Sequence, residues 1–199
     1  AGKIVNSKRD LHVFPNGEIS SAHNLADYLE EYKSLIQLSN VRELVRHIYG
    51  ELSDAVFNSS YFAKPKLIGL ETRPHQDNAF FYTTNGGLYY FAGSDQAGNL
   101  SHAPEGNVGA SMCIGPEVAN ALASRYPKQY ISIEVGDCIL HNPLVVHGSD
   151  ENVSHFDRHA FNFSIGSAKA VRNEALFKQY QSNLQEFLQR KKAPEREDC

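Results

Sequence analysis

The stretch YISIEVGDCILHNPLVVHGS, Tyr130 to Ser149, decides how the middle of the chain folds. Apolar residues come in short runs rich in Ile and Val, broken by Gly136-Asp137 and again by Asn142-Pro143. That rhythm predicts strand, turn, strand, turn, strand, because β-branched side chains suit a pleated surface and Gly, Asp, Asn and Pro suit tight reversals. The same texture runs from about residue 60 to 168, so the expectation there is a β-sandwich or barrel, with RHAFNFSIG at 158–166 as a further strand. GPEVANALASRY at 115–126 reads as a short helix set among the strands. Upstream, DLHVFPNGEI at 10–19 predicts a short strand or hairpin. Ser20 or Ser21 then offers an N-cap to a helix in which Leu25, Tyr28, Leu29 and Tyr32 recur at helical spacing. Ser39-Asn40 opens a second helix, with Val41, Leu44, Val45 and Ile48 on one face and Gly50 as its stop. Downstream, Leu176, Phe177, Tyr180, Leu184, Phe187 and Leu188 form a helical stripe expected to pack on the β core. The chain thus reads as one domain, 1–199: helices at about 20–50, a β core at about 60–168 and a closing helix at about 171–192.

Composition narrows the function classes. With 199 residues the chain suffices for one sizeable core and is awkward to divide. Hydrophobic residues make up 41% and charged residues 21%, an ordinary balance for a globular protein, and the formal charge is 19 − 23 = −4. A nucleic-acid partner is not expected, since basic residues neither dominate nor cluster; the one run, RKK at 190–192, closes a helix-like segment. Cys113, Cys138 and Cys199 are odd in number and far apart, so a reducing, cytoplasmic setting is expected rather than a disulfide framework. There is no bilayer-length apolar run and no charged-then-apolar leader, so a membrane partner is not expected either. No pattern in the sequence sets an oligomeric state.

The chemistry gathers around RPHQDNAFF, 73–81. On a strand, His75 and Asp77 point to the same face. Alone they read as an ion pair on a sheet. His147, closing the apolar run PLVVHGS, changes the weight, because two imidazoles and one carboxylate on adjoining strands form the facial set that holds non-haem Fe(II) with open positions. A structural zinc would want a fourth protein ligand. Eleven residues on, after the polar turn SDENVSHFD, Arg158 returns beside the strand of His147. Its guanidinium could clamp a dicarboxylate that chelates the metal at its other end; the alternative is a surface arginine paired with Asp150 or Asp157.

The words HQDNAFF, GGLYYFAGSDQAGNLSH, VGDCILHNPLVVHGSDEN and RHAFNFSIG, in this order over about 60–168, resemble the phytanoyl-CoA dioxygenase family of Fe(II)- and 2-oxoglutarate-dependent dioxygenases. The resemblance implies a mainly β fold with flanking α-helices, a double-stranded β-helix or cupin-like jelly roll. It implies iron on His75, Asp77 and His147, the distal carboxylate of 2-oxoglutarate on Arg158 with a hydroxyl from Ser149, O2 as oxidant and ascorbate as reductant. The implied reaction hydroxylates an aliphatic C–H bond of a small molecule and releases succinate and CO2. Asp77 favours hydroxylation, since related halogenases carry a small residue there. Two departures from the family stand out: Asp95 replaces a frequent His, and the interval from Asp77 to NGGLYYFAGS is short. Two rivals remain: a jelly-roll metal-binding or regulatory protein without turnover, and a cupin-type metalloenzyme that does not use 2-oxoglutarate. Arg158 and Ser149 discriminate, because neither rival needs a dicarboxylate clamp. Phe80, Phe81, Tyr82, Tyr89, Tyr90 and Phe91 could line an apolar pocket or fill the core. His102 and His155 read as surface residues near loops, and Lys64 and Lys66 as a solvated strand edge or contacts for an anionic group. No basic cluster suits the phosphates of a CoA thioester, so a small metabolite is the expected partner.

Overall fold

The computed structural model describes residues 11–14, 16–51, 55–67, 69, 71–76, 87–103, 113–134, 136–178, 181–182 and 185. Ten strands lie among them: β1 (Leu11–Val13), β2 (Ile19–His23), β3 (Ala55–Lys64), β4 (Thr72–His75), β5 (Leu88–Phe91), β6 (His102–Ala103), β7 (Cys113–Ile114), β8 (Lys128–Tyr130), β9 (His147–Ser149) and β10 (Arg158–Ser167). Three helices join them: α1 (Glu30–Ile36), α2 (Ser39–Tyr49) and α3 (Pro116–Arg125). Two four-stranded sheets, β1-β2-β3-β10 and β4-β9-β5-β8, are antiparallel throughout, and β6-β7 forms a small third ladder. This is the double-stranded β-helix, a jelly roll with flanking helices.

The first sheet is built on one long rung. β3 and β10 pair over ten positions, from Lys64↔Arg158 to Ala55↔Ser167. Alternation along β10 turns Arg158, Ala160 and Asn162 to the buried face, while His159 is exposed and Phe161 and Phe163 are half-buried on the other. Tyr32 of α1 covers that second face, its ring 5.6 Å from Phe161 and 6.4 Å from Phe163, and Tyr61 meets Phe161 at 5.4 Å. The Tyr49 hydroxyl at the end of α2 donates to the Ile165 carbonyl at 2.8 Å, tying the second helix to the same strand.

The second sheet carries a separate core. Tyr89, Phe91 and Val146 pack with Ile114, Leu122 of α3 and Tyr126. Burying side chains of this size is worth about 1.5–3 kcal/mol each, enough to hold a sheet of three- and four-residue strands. Because Tyr89 and Phe91 face α3, alternation sends Leu88 and Tyr90 to the opposite face, together with His147 and Ser149 of β9.

Several expectations need correction. Ser20 and Ser21 do not cap a helix; they are buried in β2, and only a three-residue 3-10 turn, Leu25–Asp27, separates that strand from the chain leading to α1. The hairpin expected at 10–19 is present as β1 and β2, and its second strand runs on to His23, into the segment expected to be helical. In α2, Val45 is fully buried but Ile48 is 46% exposed; Gly50, at φ 85°, ends the helix with its N–H on the Arg46 carbonyl. The stretch 130–149 makes fewer regular strands than its rhythm predicts: among the described residues between β8 and β9, only single bridge positions, Ile133 and Ile139, interrupt the loop. The tail is helical at 174–178, while Tyr180, Leu184, Phe187 and Leu188 lie outside the described residues. No helix among the described residues is long and apolar enough to cross a membrane.

Candidate metal centre

His75 and His147 face each other directly. They are cross-strand partners on β4 and β9, and their ring centroids stand 4.4 Å apart. A bulge between Thr72 and His75 lets three steps of β4 match two of β9. It falls beside Pro74, which has no N–H to give a ladder, on an edge strand where proline is tolerated, and it aims the imidazole across the sheet.

Each ring is held by its own strand. His75 Nδ1 lies 2.8 Å from the Arg73 carbonyl, and His147 Nδ1 lies 3.2 Å from the Val145 carbonyl. A carbonyl only accepts, so both Nδ1 atoms carry a proton, and in the neutral form of each ring the lone pair lies at Nε2. That tautomer, fixed by a backbone acceptor, is the one required of a metal-ligating histidine, so the two rings fit a divalent metal. Asp77, the third expected ligand, lies outside the described residues, as do Phe80, Phe81 and Tyr82. Among the described residues no three His, Cys, Asp or Glu side chains are placed to share a metal ion.

The residue between the two histidine-strand neighbours explains the sequence His147-Gly148-Ser149. Gly148 turns its back to the core, where an added Cβ would press on the Tyr89 hydroxyl and the Thr72 carbonyl. A side chain there would push β9 off β4 and β5.

Arg158, nine-tenths or more buried, holds the far end of the same face. Its Nη2 donates to the Asp150 carbonyl at 2.8 Å, three residues beyond His147, which along a strand is about 10 Å. The guanidinium lies so close over Gly87, at φ +90°, that a Cβ at this position would collide with Nη1. Arg158 is buried rather than at the surface: the Asp150 carbonyl accepts from it, the Asp150 carboxylate stands 3.8 Å from Lys128 Nζ, and Asp157 accepts from the Lys66 N–H at 2.9 Å. Ser149 sits between His147 and Asp150 on β9, its own backbone paired to Thr72 and Leu88.

Four residues undervalued in the sequence belong to this neighbourhood. Lys64 is not a solvated edge; Arg158 is its register partner, and its Nζ donates to the Ser149 and Asp150 carbonyls, each at 3.2 Å. Burial, with Arg158 adding to it, pulls its pKa down to about 7 against the opposing pull of Asp150 and Glu71. Tyr90 pairs with His147 and lies nearly parallel to it at 5.5 Å; the Tyr90 hydroxyl meets His141 Nδ1 at 2.7 Å, and the His141 ring is 4.8 Å from His147. His102 is half-buried rather than a surface residue: Nδ1 donates to the Leu100 carbonyl and Nε2 accepts the Gln76 N–H. Burial holds its pKa below the usual range, with His75 acting the same way and the Leu100 carbonyl opposing. Lys66 and His155 are exposed. Next to Tyr90 and His141 opens a cavity of about 300 Å³, also lined by Asp95, Ile131, Ile139, Leu140, Asn142 and Val145. Tyr89 and Phe91 fill the core instead.

Comparison with known proteins bears on the family and the fold. The family model described as phytanoyl-CoA dioxygenase (PhyH) matches residues 1–160. The chain is 27% identical over 189 residues to phytanoyl-CoA dioxygenase domain-containing protein 1 of Rattus norvegicus, covering 83% of this chain and 63% of that protein. It is 28% identical over 162 residues to a phytanoyl-CoA dioxygenase of Arabidopsis thaliana, covering 72% and 55%. The chain therefore spans less than two thirds of the length of these curated relatives. Among solved structures, EctD from S. alaskensis with 2-oxoglutarate and 5-hydroxyectoine superposes with a TM-score of 0.63 at 18% identity, over 81% of this chain and 61% of that one. EvdO2 from Micromonospora carbonacea var. aurantiaca, complexed with 2-oxoglutarate, gives 0.61 at 15% identity, over 82% and 78%. At such identities these two likenesses are of fold.

Proposed function

The chain belongs to the phytanoyl-CoA dioxygenase family, and from that premise we propose that it is an Fe(II)- and 2-oxoglutarate-dependent dioxygenase that hydroxylates an aliphatic C–H bond of a small molecule. The observation that carries the reading is the cross-strand pair His75 and His147, both set by backbone carbonyls in the Nε2 lone-pair tautomer, with the Arg158 guanidinium bonded to the Asp150 carbonyl three residues beyond His147. In this reading His75, His147 and Asp77 hold the iron, which when bound supplies the activation of O2 that side chains cannot. Arg158 takes the distal carboxylate of 2-oxoglutarate through its fork, Ser149 adds a hydroxyl, and ascorbate serves as reductant. Lys64 stands at the same end, its Nζ donating to the Ser149 and Asp150 carbonyls. Tyr90 and His141 wall the opposite side, where the open, largely aliphatic hollow suits a compact substrate.

The test is direct. Anaerobic protein with Fe(II) and 2-oxoglutarate is expected to develop the weak visible charge-transfer band of the chelate, and admission of O2 to yield succinate. Metal uptake without that band would favour a jelly-roll metal-binding protein; a band without succinate in the presence of a broad substrate panel would leave the hydroxylase reading without support.

A further inference from the structure

Gln76 stands between His75 and Asp77 in the sequence, and its part-buried side chain is bonded to backbone groups of two other segments. Its Nε2 donates both protons to backbone carbonyls, one of Gly98 at 2.9 Å and one of Leu144. Its Oε1 accepts the Leu100 N–H at 3.0 Å, and its own N–H donates to His102 Nε2 at 3.1 Å. The amide orientation is fixed by this set, because two carbonyls demand the nitrogen and an N–H demands the oxygen. His102 is locked in turn, since Nδ1 must donate to the Leu100 carbonyl at 2.9 Å, leaving Nε2 as the acceptor.

These bonds join three segments: β4 with His75, the turn at 98–102, and the loop ending at Leu144, three residues before His147. The turn is itself fastened to β9, because Val146 N–H donates at 2.8 Å to the fully buried Ser94 Oγ. Residues 94–102 thus form a bracket that grips β9 through Ser94 and β4 through Gln76. A histidine pair on an edge strand and its neighbour, linked otherwise by a ladder with a bulge in it, has its separation set by this bracket.

We propose that Gln76, steadied by His102, is a positioning residue of the metal centre, holding the His75 strand and the His147 strand at the spacing a divalent metal requires. The proposal rests on the metal-centre reading given above. It explains why an amide serves at this position: only a side chain with two donors and an acceptor on one planar group can satisfy Gly98, Leu144 and Leu100 together.

The test needs no turnover. Fe(II) affinity is measured by anaerobic titration of the apoprotein, and Co(II) is used as a spectroscopic probe whose visible bands report coordination geometry. Gln76→Met keeps the length and removes the amide; it is expected to weaken Fe(II) binding roughly 10–100-fold, as loss of outer-shell partners does, and to alter the Co(II) bands. His102→Phe is expected to act in the same direction, while His102→Gln, whose amide oxygen can take the Gln76 N–H, restores most of the affinity. Unchanged Fe(II) affinity and Co(II) bands in folded Gln76→Met would overturn the proposal. Should that variant fail to fold, the His102 pair decides: Gln above Phe in affinity supports it, and equal affinities overturn it. A wild-type protein that binds neither ion removes the metal-centre reading itself, whereas wild-type binding with an indifferent Gln76 removes only this inference.

Discussion

The two sheets divide labour by length. In β1-β2-β3-β10 a ten-position ladder supplies continuity, and its outer face is sealed by Tyr32 against Phe161 and Phe163. In β4-β9-β5-β8 no strand exceeds four residues, one pairing is bulged, and the side chains that matter are imidazoles. Long regular pairing resists local displacement, so the first sheet serves as a frame. Short pairing leaves room to aim individual side chains, so on the proposed reading the second would carry the chemistry, with α3, Gln76 and the buried Ser94 packed or bonded against it. Arg158 and Lys64 stand where the two meet, at the end of the long ladder and against the backbone of residues 149–150.

Substitutions in each sheet can break this division or sharpen it. The largest expected effect is that of His147→Ala or His75→Ala, which is predicted to lower Fe(II) affinity by about 100-fold or more, while far-ultraviolet circular dichroism is retained; a variant with wild-type iron binding would return the chemistry to some other part of the molecule. Leu122→Ala, under the second sheet, is predicted to cost about 2–5 kcal/mol in urea unfolding, because the cavity forms in the one core that supports those short strands. Arg158→Lys is predicted to raise the KM for 2-oxoglutarate by about tenfold or more with a smaller change in kcat, since an ammonium cannot reproduce the bidentate fork. An unaltered KM would detach the ladder's end from cosubstrate binding. Tyr32→Leu, on the frame, is predicted to cost only about 0.5–1.5 kcal/mol beyond its lost area, with metal affinity untouched.

Lys64 offers a pH test at the junction. Its folded pKa, about 7, lies below the ordinary 10.5, so between these values the unfolded chain binds the extra proton and stability rises with pH. The penalty of the charged form is fully present below pH 7 and is relieved as pH climbs through the window to 10.5. Wild-type protein is therefore predicted to gain stability relative to Lys64→Met between pH 7 and 9.5, read from urea midpoints. A difference that stays flat across that range would mean Lys64 is better solvated than its contacts indicate.

What was legible in the sequence follows the same division. Strand alternation, helical spacing and turn residues expose β10 and α3, because these signals are local; His75 and His147 stand out by residue type, and only the register joins them. The partner of β10 was harder to see: Asn58, Ser59 and Ser60 interrupt the apolar pattern of β3, and its ladder joins residues about a hundred positions apart. Ser20 and Ser21 carry the chemistry of a helix cap, and only tertiary burial in β2 overrides it. Lys64 looked solvated because lysines usually are, and its acceptors are main-chain carbonyls. Gln76 and Ser94 escaped notice for that reason too, since Gly98, Leu100, Leu144 and Val146 contribute backbone atoms that every residue possesses. Asp77 could be read only from the sequence.

The β3–β10 ladder has a kinetic consequence. Its strands close a loop of more than ninety residues, and closing entropy over such a span must be met before the paired backbones reward it. During synthesis β3 waits with one edge open until β10 leaves the ribosome, an interval in which a chaperone or another nascent chain can occupy that edge. Arg158 is the first residue of the late strand, so the guanidinium takes its place over Gly87 only once the zipper starts. Cosubstrate binding through this arginine would accordingly report not merely a local pocket but the completed topology.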